Sequence, residues 1–190
     1  HGGAIYNAGT LALINSTIAR SRAHSSGGGI HNATGTVTVI NSTIAESRAD
    51  ANGLGNGDGG GIWTGSDPAA KTSLYNTLVV GNDAGFINFQ HDSDIAGKNL
   101  ESGSANNLIS DPMSAGGLAE GVDGNLLGDG SGNLLGIFSF VDYPPTPNGG
   151  YTPTYRPQPG SRAIDAGNNL FATTLGDDGI PGTGDANESA

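Results

Sequence analysis

Gly2-Gly3-Ala4-Ile5-Tyr6-Asn7 returns as Gly27-Gly28-Gly29-Ile30-His31-Asn32 and again as Gly59-Gly60-Gly61-Ile62-Trp63-Thr64. The first two copies continue into a second shared phrase, Leu-Ile-Asn-Ser-Thr-Ile-Ala at 13–19 and Val-Ile-Asn-Ser-Thr-Ile-Ala at 39–45. The step is 25 residues from Gly2 to Gly27 and 26 from Asn15 to Asn41. Self-similarity at this period marks a solenoid. A leucine-rich repeat would need a leucine scaffold and usually a helical segment. Here the scaffold is Gly, Asn, Thr and β-branched residues. Thr10-Leu11-Ala12-Leu13 and Thr36-Val37-Thr38-Val39 alternate with period two, the pattern of short half-buried strands. The expected fold is therefore all-β: a right-handed parallel β-helix (solenoid), one turn per repeat, with an irregular C-terminal capping region.

The repeat also assigns side chains. Ile5, Leu11, Leu13 and Ile18 are expected to point inward and stack on Ile30, Val37, Val39 and Ile44. Asn15 should lie over Asn41, where stacked amides can pass hydrogen bonds along the axis. The Gly clusters fit bends that need positive φ or close backbone approach. Tyr6, His31 and Trp63 fall in one column, expected to face outward. Arg22 stacks on Arg48, and Arg20 sits below Glu46.

Composition narrows the function classes. Gly accounts for 34 of 190 residues, well above the usual share of about 7%. Disordered chains lack aliphatic residues in register, and this chain has them. There is no cysteine, which excludes disulfides and thiolate-held metals. The net charge is −11, and it is uneven. Residues 1–49 carry Arg20, Arg22 and Arg48 against Glu46 alone, so nearly all the acid lies beyond them. An acidic chain of this kind suits neither nucleic acid nor an anionic membrane. No apolar run reaches transmembrane length, and no signal peptide is visible. The chain opens inside a repeat with no capping element. Solenoids need capped ends, so it reads as a piece of a longer polypeptide.

Along the chain, residues 1–111 read as about four coils, with loop insertions at 50–58 and 66–72. Residues 112–168 read as a C-terminal capping or extended region packed on the last coil. Within it, Gly-Asn-Leu-Leu-Gly at 124–128 recurs at 132–136, read as two tight turns with leucines against the stack end. Residues 169–190 form an acidic Gly- and Asp-rich tail.

The Gly-Gly-Gly-Ile-x-Asn and Asn-Ser-Thr-Ile phrases resemble the repeats of bacterial surface β-helices, including polymorphic outer-membrane proteins. The later phrases are Asn76-Thr77-Leu78-Val79-Val80-Gly81-Asn82, Asp94-Ile95-Ala96-Gly97, Asn107-Leu108-Ile109, Thr152-Pro153-Thr154 and Pro159-Gly160-Ser161-Arg162-Ala163-Ile164-Asp165-Ala166-Gly167. In that order they resemble the choice-of-anchor Q domain of large secreted bacterial proteins. The resemblance spans most of residues 2–168. That pattern usually continues into an Asp-Gln-Arg-Gly type segment, which Asp177-Asp178-Gly179 matches only faintly. The resemblance implies an extracellular or bacterial cell-surface protein. It carries over no catalytic residues.

Two kinds of chemistry are worth weighing. A carbohydrate-active site is suggested by fold-level analogy alone. Inverting glycosidases need two carboxyl groups roughly 6.5–9.5 Å apart, yet the regular coils hold no acid before Glu46. The one local acid pair beside a His is His91-Asp92-Ser93-Asp94, which makes His91, Asp92 and Asp94 the catalytic candidates. The plainer reading is a polar loop with Asp94 capping a turn. Tyr6, His31 and Trp63 are candidates for stacking on sugar rings, with Arg22 and Arg48 for an acidic sugar. The plainer readings are packing under a loop and solvated arginines. Calcium is the one cofactor the chain suggests. Asn56 and Asp58 lie in a Gly-Asp stretch, and Asp129, Ser131 and Asn133 match the start of an EF-hand-type loop. Leu134 replaces the Gly that loop requires, and the plainer reading of both stretches is turn chemistry.

The favoured function is structural: an extracellular or cell-surface β-helix acting as adhesin, stalk or self-assembling filament subunit, with no catalysis. Its partners would be further copies of itself, end to end or laterally, or carbohydrate. The alternative is a polysaccharide-binding or polysaccharide-degrading β-helix, a lyase or hydrolase.

Overall fold

The structure is a computed structural model that describes residues 2–55, 57–85, 90–129, 155–157 and 159–172. The remaining candidates Asn56, Ser131 and Asn133 lie outside the described residues, as do the second Gly-Asn-Leu-Leu-Gly phrase and the acidic tail beyond 172.

The fold is all-β and its sheets are largely parallel. One sheet stacks β1 (Ile5–Asn7), β4 (Ile30–Asn32), β8 (Ile62–Thr64) and β13 (Ile95–Gly97) in that order. A second stacks β2 (Thr10–Ile14), β5 (Thr36–Ile40) and β9 (Lys71–Tyr75). A third stacks β3 (Thr17–Ala19), β6 (Thr43–Ala45), β10 (Leu78–Val80), β14 (Leu108–Ile109) and β15 (Leu126–Leu127). The fourth sheet is small. In it β7 (Arg48–Ala49) pairs in parallel with β11 (Asp83–Ala84), which pairs antiparallel with β12 (His91–Asp92).

Each strand of the three larger sheets thus pairs with its counterpart one repeat away, and the register between the regular repeats is the one the sequence phrases dictate. Ile5 is opposite Ile30, Leu11 opposite Val37, Leu13 opposite Val39 and Ile18 opposite Ile44. Residues from three sheets share one core: Ile30, Val37, Val39, Ile44, Ile62, Leu74, Val79, Ile95 and Ile109 are 2% exposed or less. Burying each such side chain stabilises the fold by about 1.5–3 kcal/mol. The alternation follows from the pleat, which sends successive side chains to opposite faces.

Two kinds of turn make the strands short. Asn15, Asn41, Asn76 and Asn106 all sit at φ between 48° and 55°, where Asn is tolerated because its short polar side chain bonds locally. The Gly phrases work differently. A Cβ on Gly28 would come 2.4 Å from the Gly60 carbonyl oxygen and 2.5 Å from the Arg48 backbone. Neighbouring chains pass too close there for any side chain.

Two loop readings change. The loop after Thr64 is shorter than 66–72: Ala70 N–H closes a turn on the Asp67 carbonyl at 2.9 Å, and Lys71 already begins β9. The pattern Lys71-Thr72-Ser73-Leu74 alternates like its neighbours, and Pro68 hid its start. Leu126 and Leu127 lie at the end of the third sheet, as expected, but they are not turn residues. They form a strand beside Leu108 and Ile109, and the turn is confined to the 3-10 segment Val122–Gly124 before them. The described C-terminal segment, 155–172, runs along the side of the stack. Tyr155 and Ala163 pack on Val80 and Leu108, and Phe171 stacks on Tyr75 at 5.2 Å. Asn76 receives the Asn168 N–H and donates to the Asn168 carbonyl, both at 2.8 Å, while Asn41 donates to the Phe171 carbonyl.

Candidate functional site

The outward aromatic column exists. Tyr6, His31 and Trp63 occupy matching positions of β1, β4 and β8. The Tyr6 and His31 rings are stacked with centroids 5.3 Å apart, and His31 lies 4.4 Å from Trp63. His31 is sandwiched, 6% exposed, and its Nδ1 donates to the Ser26 carbonyl at 2.9 Å. That bond fixes the ring plane that the neighbours stack on. Tyr6 is 53% exposed.

The His91–Asp94 stretch divides in two. His91 and Asp92 are exposed, while Ser93 and Asp94 are buried. Asp94 turns into the stack. Its Oδ1 accepts from the Asn82 backbone N–H at 3.1 Å and the Asn82 side-chain amide at 2.9 Å. Its Oδ2 accepts from the Ser110 hydroxyl at 2.7 Å and the Asp111 N–H at 2.9 Å. Complete burial outweighs these four bonds and pushes its pKa up to about 6. This is the turn-capping role, and it keeps Asp94 away from His91.

The partner of His91 is instead Asp58, one repeat earlier. His91 Nε2 lies 3.4 Å from Asp58 Oδ1, the oxygen that also accepts from the Ser93 hydroxyl at 2.5 Å. Gly59 N–H donates to that serine oxygen at 2.9 Å and to Asp58. His91 does not reach Ser93 with a nucleophile-activating contact. Asp58 stands between them. These residues line a groove of about 530 Å³ with Asp92, Ala96, Gly97 and Met113. No family model, curated protein or solved structure matches this chain.

The arginines are placed as the repeat predicts, with a partner the repeat does not show. Arg22 bridges to Arg48 in the ladder. Arg48 grips Asp83 with both arms of its guanidinium, at 2.5 and 2.7 Å, and this raises its pKa further. Asp83 sits at the matching position of the third repeat, and no residue pattern in the first two repeats announces it. Arg20 lies 3.8 Å from Glu46. Burial raises the Glu46 pKa, against the opposing pull of the Tyr155 hydroxyl and the Arg20 charge.

The calcium candidates do not converge among the described residues. Asp58 is committed to Ser93 and Gly59, Asp129 lies just past β15, and no group of three or more His, Asp or Glu is placed to share an ion among the described residues. The buried polar ladder went unread in the sequence. Asn7 donates to Asn32 at 2.8 Å, Asn32 to Thr72 at 3.1 Å, and Thr72 meets Thr64 at 2.8 Å. Its signal was present: the third residue of the Ile-x-Asn and Ile-x-Thr phrases is a hydrogen-bonding side chain in all three copies, Asn7, Asn32 and Thr64.

Proposed function

We propose that these sheets close into a right-handed parallel β-helix and that the protein is a structural element of an extracellular or bacterial cell surface: an adhesin, stalk or self-assembling filament subunit. The observation that carries this reading is where the acids and cations go. Asp94 is spent on four donors inside the stack, and Arg48 is spent on Asp83. The inward amides tie one repeat to the next instead of facing a substrate. A stack cross-linked in this way suits load-bearing or display. The surface location rests on the phrases that resemble secreted β-helix proteins. Self-assembly rests on general physics, since open strand edges are templates for further strands.

The polysaccharide reading stays second, on one observation: His91 and Asp58 do meet at a groove. Incubation with a panel of neutral and acidic polysaccharides, followed by assay of new reducing ends and of unsaturated products, separates the two. The structural reading expects no turnover. Turnover abolished by His91→Ala would replace it with the enzyme. Calcium is a structural proposal here: a rise in Tm with calcium that a chelator reverses supports it, and an unchanged Tm removes it.

A further inference from the structure

The described strap covers the second and third repeats and stops short of the first. Phe171 packs on the cluster of Ile40, Tyr75 and Ala105, and Ile40 and Tyr75 are 1% and 3% exposed. Beside them Asn41 and Asn76 bond the strap backbone at Phe171 and Asn168. The ladder puts Ile14 in register with Ile40 and Tyr75, and Asn15 follows it as Asn41 and Asn76 follow theirs. This column faces outward, since two of its members reach a segment on the side of the stack. At the first repeat, however, Ile14 is 41% exposed and Asn15 is exposed. Asn76 donates to Asn41 at 3.0 Å, but Asn41 turns its own N–H₂ to the Phe171 carbonyl. The amide ladder therefore ends before Asn15, whose side chain makes no hydrogen bond among the described residues.

Asn15 also opens an Asn-x-Ser/Thr triplet, Asn15-Ser16-Thr17, the acceptor pattern for an N-linked sugar. The triplet recurs at Asn32-Ala33-Thr34 and Asn41-Ser42-Thr43, and at Asn187-Glu188-Ser189 outside the described residues. The fold sorts the three described copies. Transfer joins the amide nitrogen to the anomeric carbon of a sugar activated as its diphosphate. The C–O bond to the diphosphate breaks, the diphosphate leaves with that electron pair, and the nitrogen gives up one proton. An amide nitrogen is a poor nucleophile while its lone pair is delocalised, so a transferase must grip the N–H₂ and turn it. An N–H₂ already donating inside the protein is not free for that. Asn32 is 0% exposed and donates to the Lys71 carbonyl at 2.9 Å and the Thr72 hydroxyl at 3.1 Å. Asn41 donates to the Phe171 carbonyl at 3.2 Å. Asn15 has neither constraint. Thr17, which completes its triplet, is exposed as well, on the strand whose Ile18 points inward.

We infer that Asn15 is the acceptor for an N-linked sugar, supplied by a transferase from a glycosyl diphosphate. The ring's apolar C–H face gives Ile14 the cover that Phe171 gives Ile40 and Tyr75, and its hydroxyls keep that edge hydrated. The site goes beyond the structural reading above and takes from it only the surface location.

Peptide mapping by mass spectrometry, on the protein isolated from the organism that makes it, tests this. The expected result is a hexose or N-acetylhexosamine on Asn15, alone or extended, with Asn32 and Asn41 bare. A second sample is the folded recombinant protein treated with a soluble Asn-x-Ser/Thr-specific transferase and UDP-glucose. It should gain a single hexose among the three described triplets, at Asn15, whereas heat-unfolded protein should gain hexose at Asn32 and Asn41 too. Thr17→Ser should keep the transfer and Thr17→Ala should abolish it, with circular dichroism unchanged in both. Absence of sugar from Asn15 in either sample overturns the inference. So does transfer to Asn32 or Asn41 of the folded protein, or transfer to Asn15 that persists in Thr17→Ala. Each of these failures leaves the structural reading standing, which falls only to turnover.

Discussion

Asp94 is the clearest case of burial setting the behaviour of one side chain. Its folded pKa of about 6 stands above the unfolded value of 3.8. Between these values the folded state binds more protons than the unfolded state, so stability falls as pH rises through the window and is level above it. Urea unfolding at pH 4.5 and pH 7.5 should therefore give a higher midpoint at the lower pH, once other carboxylates are accounted for by comparison with Asp94→Asn. That variant loses the slope. It also sets a side-chain N–H₂ against donors, since all four partners of the carboxylate donate. The expected loss is about 1–3 kcal/mol at pH 7.5. An unchanged midpoint would mean that the carboxylate is not held in this way. The neighbouring His91 behaves differently because it faces solvent, 62% exposed at its side chain. His91→Ala should leave stability nearly unchanged in the same unfolding measurement.

At the scale of the element, the second glycine of each Gly phrase has no room for a side chain. Gly28→Ala would drive a methyl group into the Gly60 carbonyl and the Arg48 backbone. The chain there is held on both sides, so the parallel register must break. Loss of the cooperative thermal transition is expected. Gly9→Ala, with open space around the added atom, should be tolerated. Ile62→Ala removes a fully buried side chain and should cost about 2–5 kcal/mol, read by denaturant unfolding. Elements of this kind were legible in the sequence because repetition wrote them twice. Ile5, Ile30 and Ile62 declare their column by spacing alone, as do Leu13 and Val39. What was not legible lies where repetition ends. Leu126-Leu127 is too short to show a period, so its strand is recognisable only from its pairing with Leu108-Ile109. The meeting of His91 with Asp58 goes with β12 running antiparallel to β11, and nothing in the repeat encodes that direction. The end of the aromatic column was readable in principle, since Ala96 aligns with Trp63 once Ile95 is aligned with Ile62.

At the scale of the molecule, the segment 155–172 acts as a strap across repeats that are far apart in sequence. It meets Glu46, Asn41, Asn76 and Tyr75, and Arg162 ties it to Glu120 and to the Leu127 carbonyl. The N–H of Leu127 and this arginine hold the Glu120 carboxyl below its usual range. The strap covers the sheets without entering their core. Phe171→Ala should therefore speed hydrogen exchange at Asn168 and Phe171 and leave the protected amides of β5 and β9 unchanged. Loss of protection throughout would show that the strap holds the stack together. The central claim is that successive repeats lie directly over one another in parallel and close around a single core. A crystal structure of the protein tests it most directly. The expected density shows Ile5, Ile30, Ile62 and Ile95 in one inward column, Asn7 bonded to Asn32 beneath it, and a closed right-handed path through the three long sheets. A shifted register that turns these isoleucines outward, or sheets that splay apart without a common core, would contradict it.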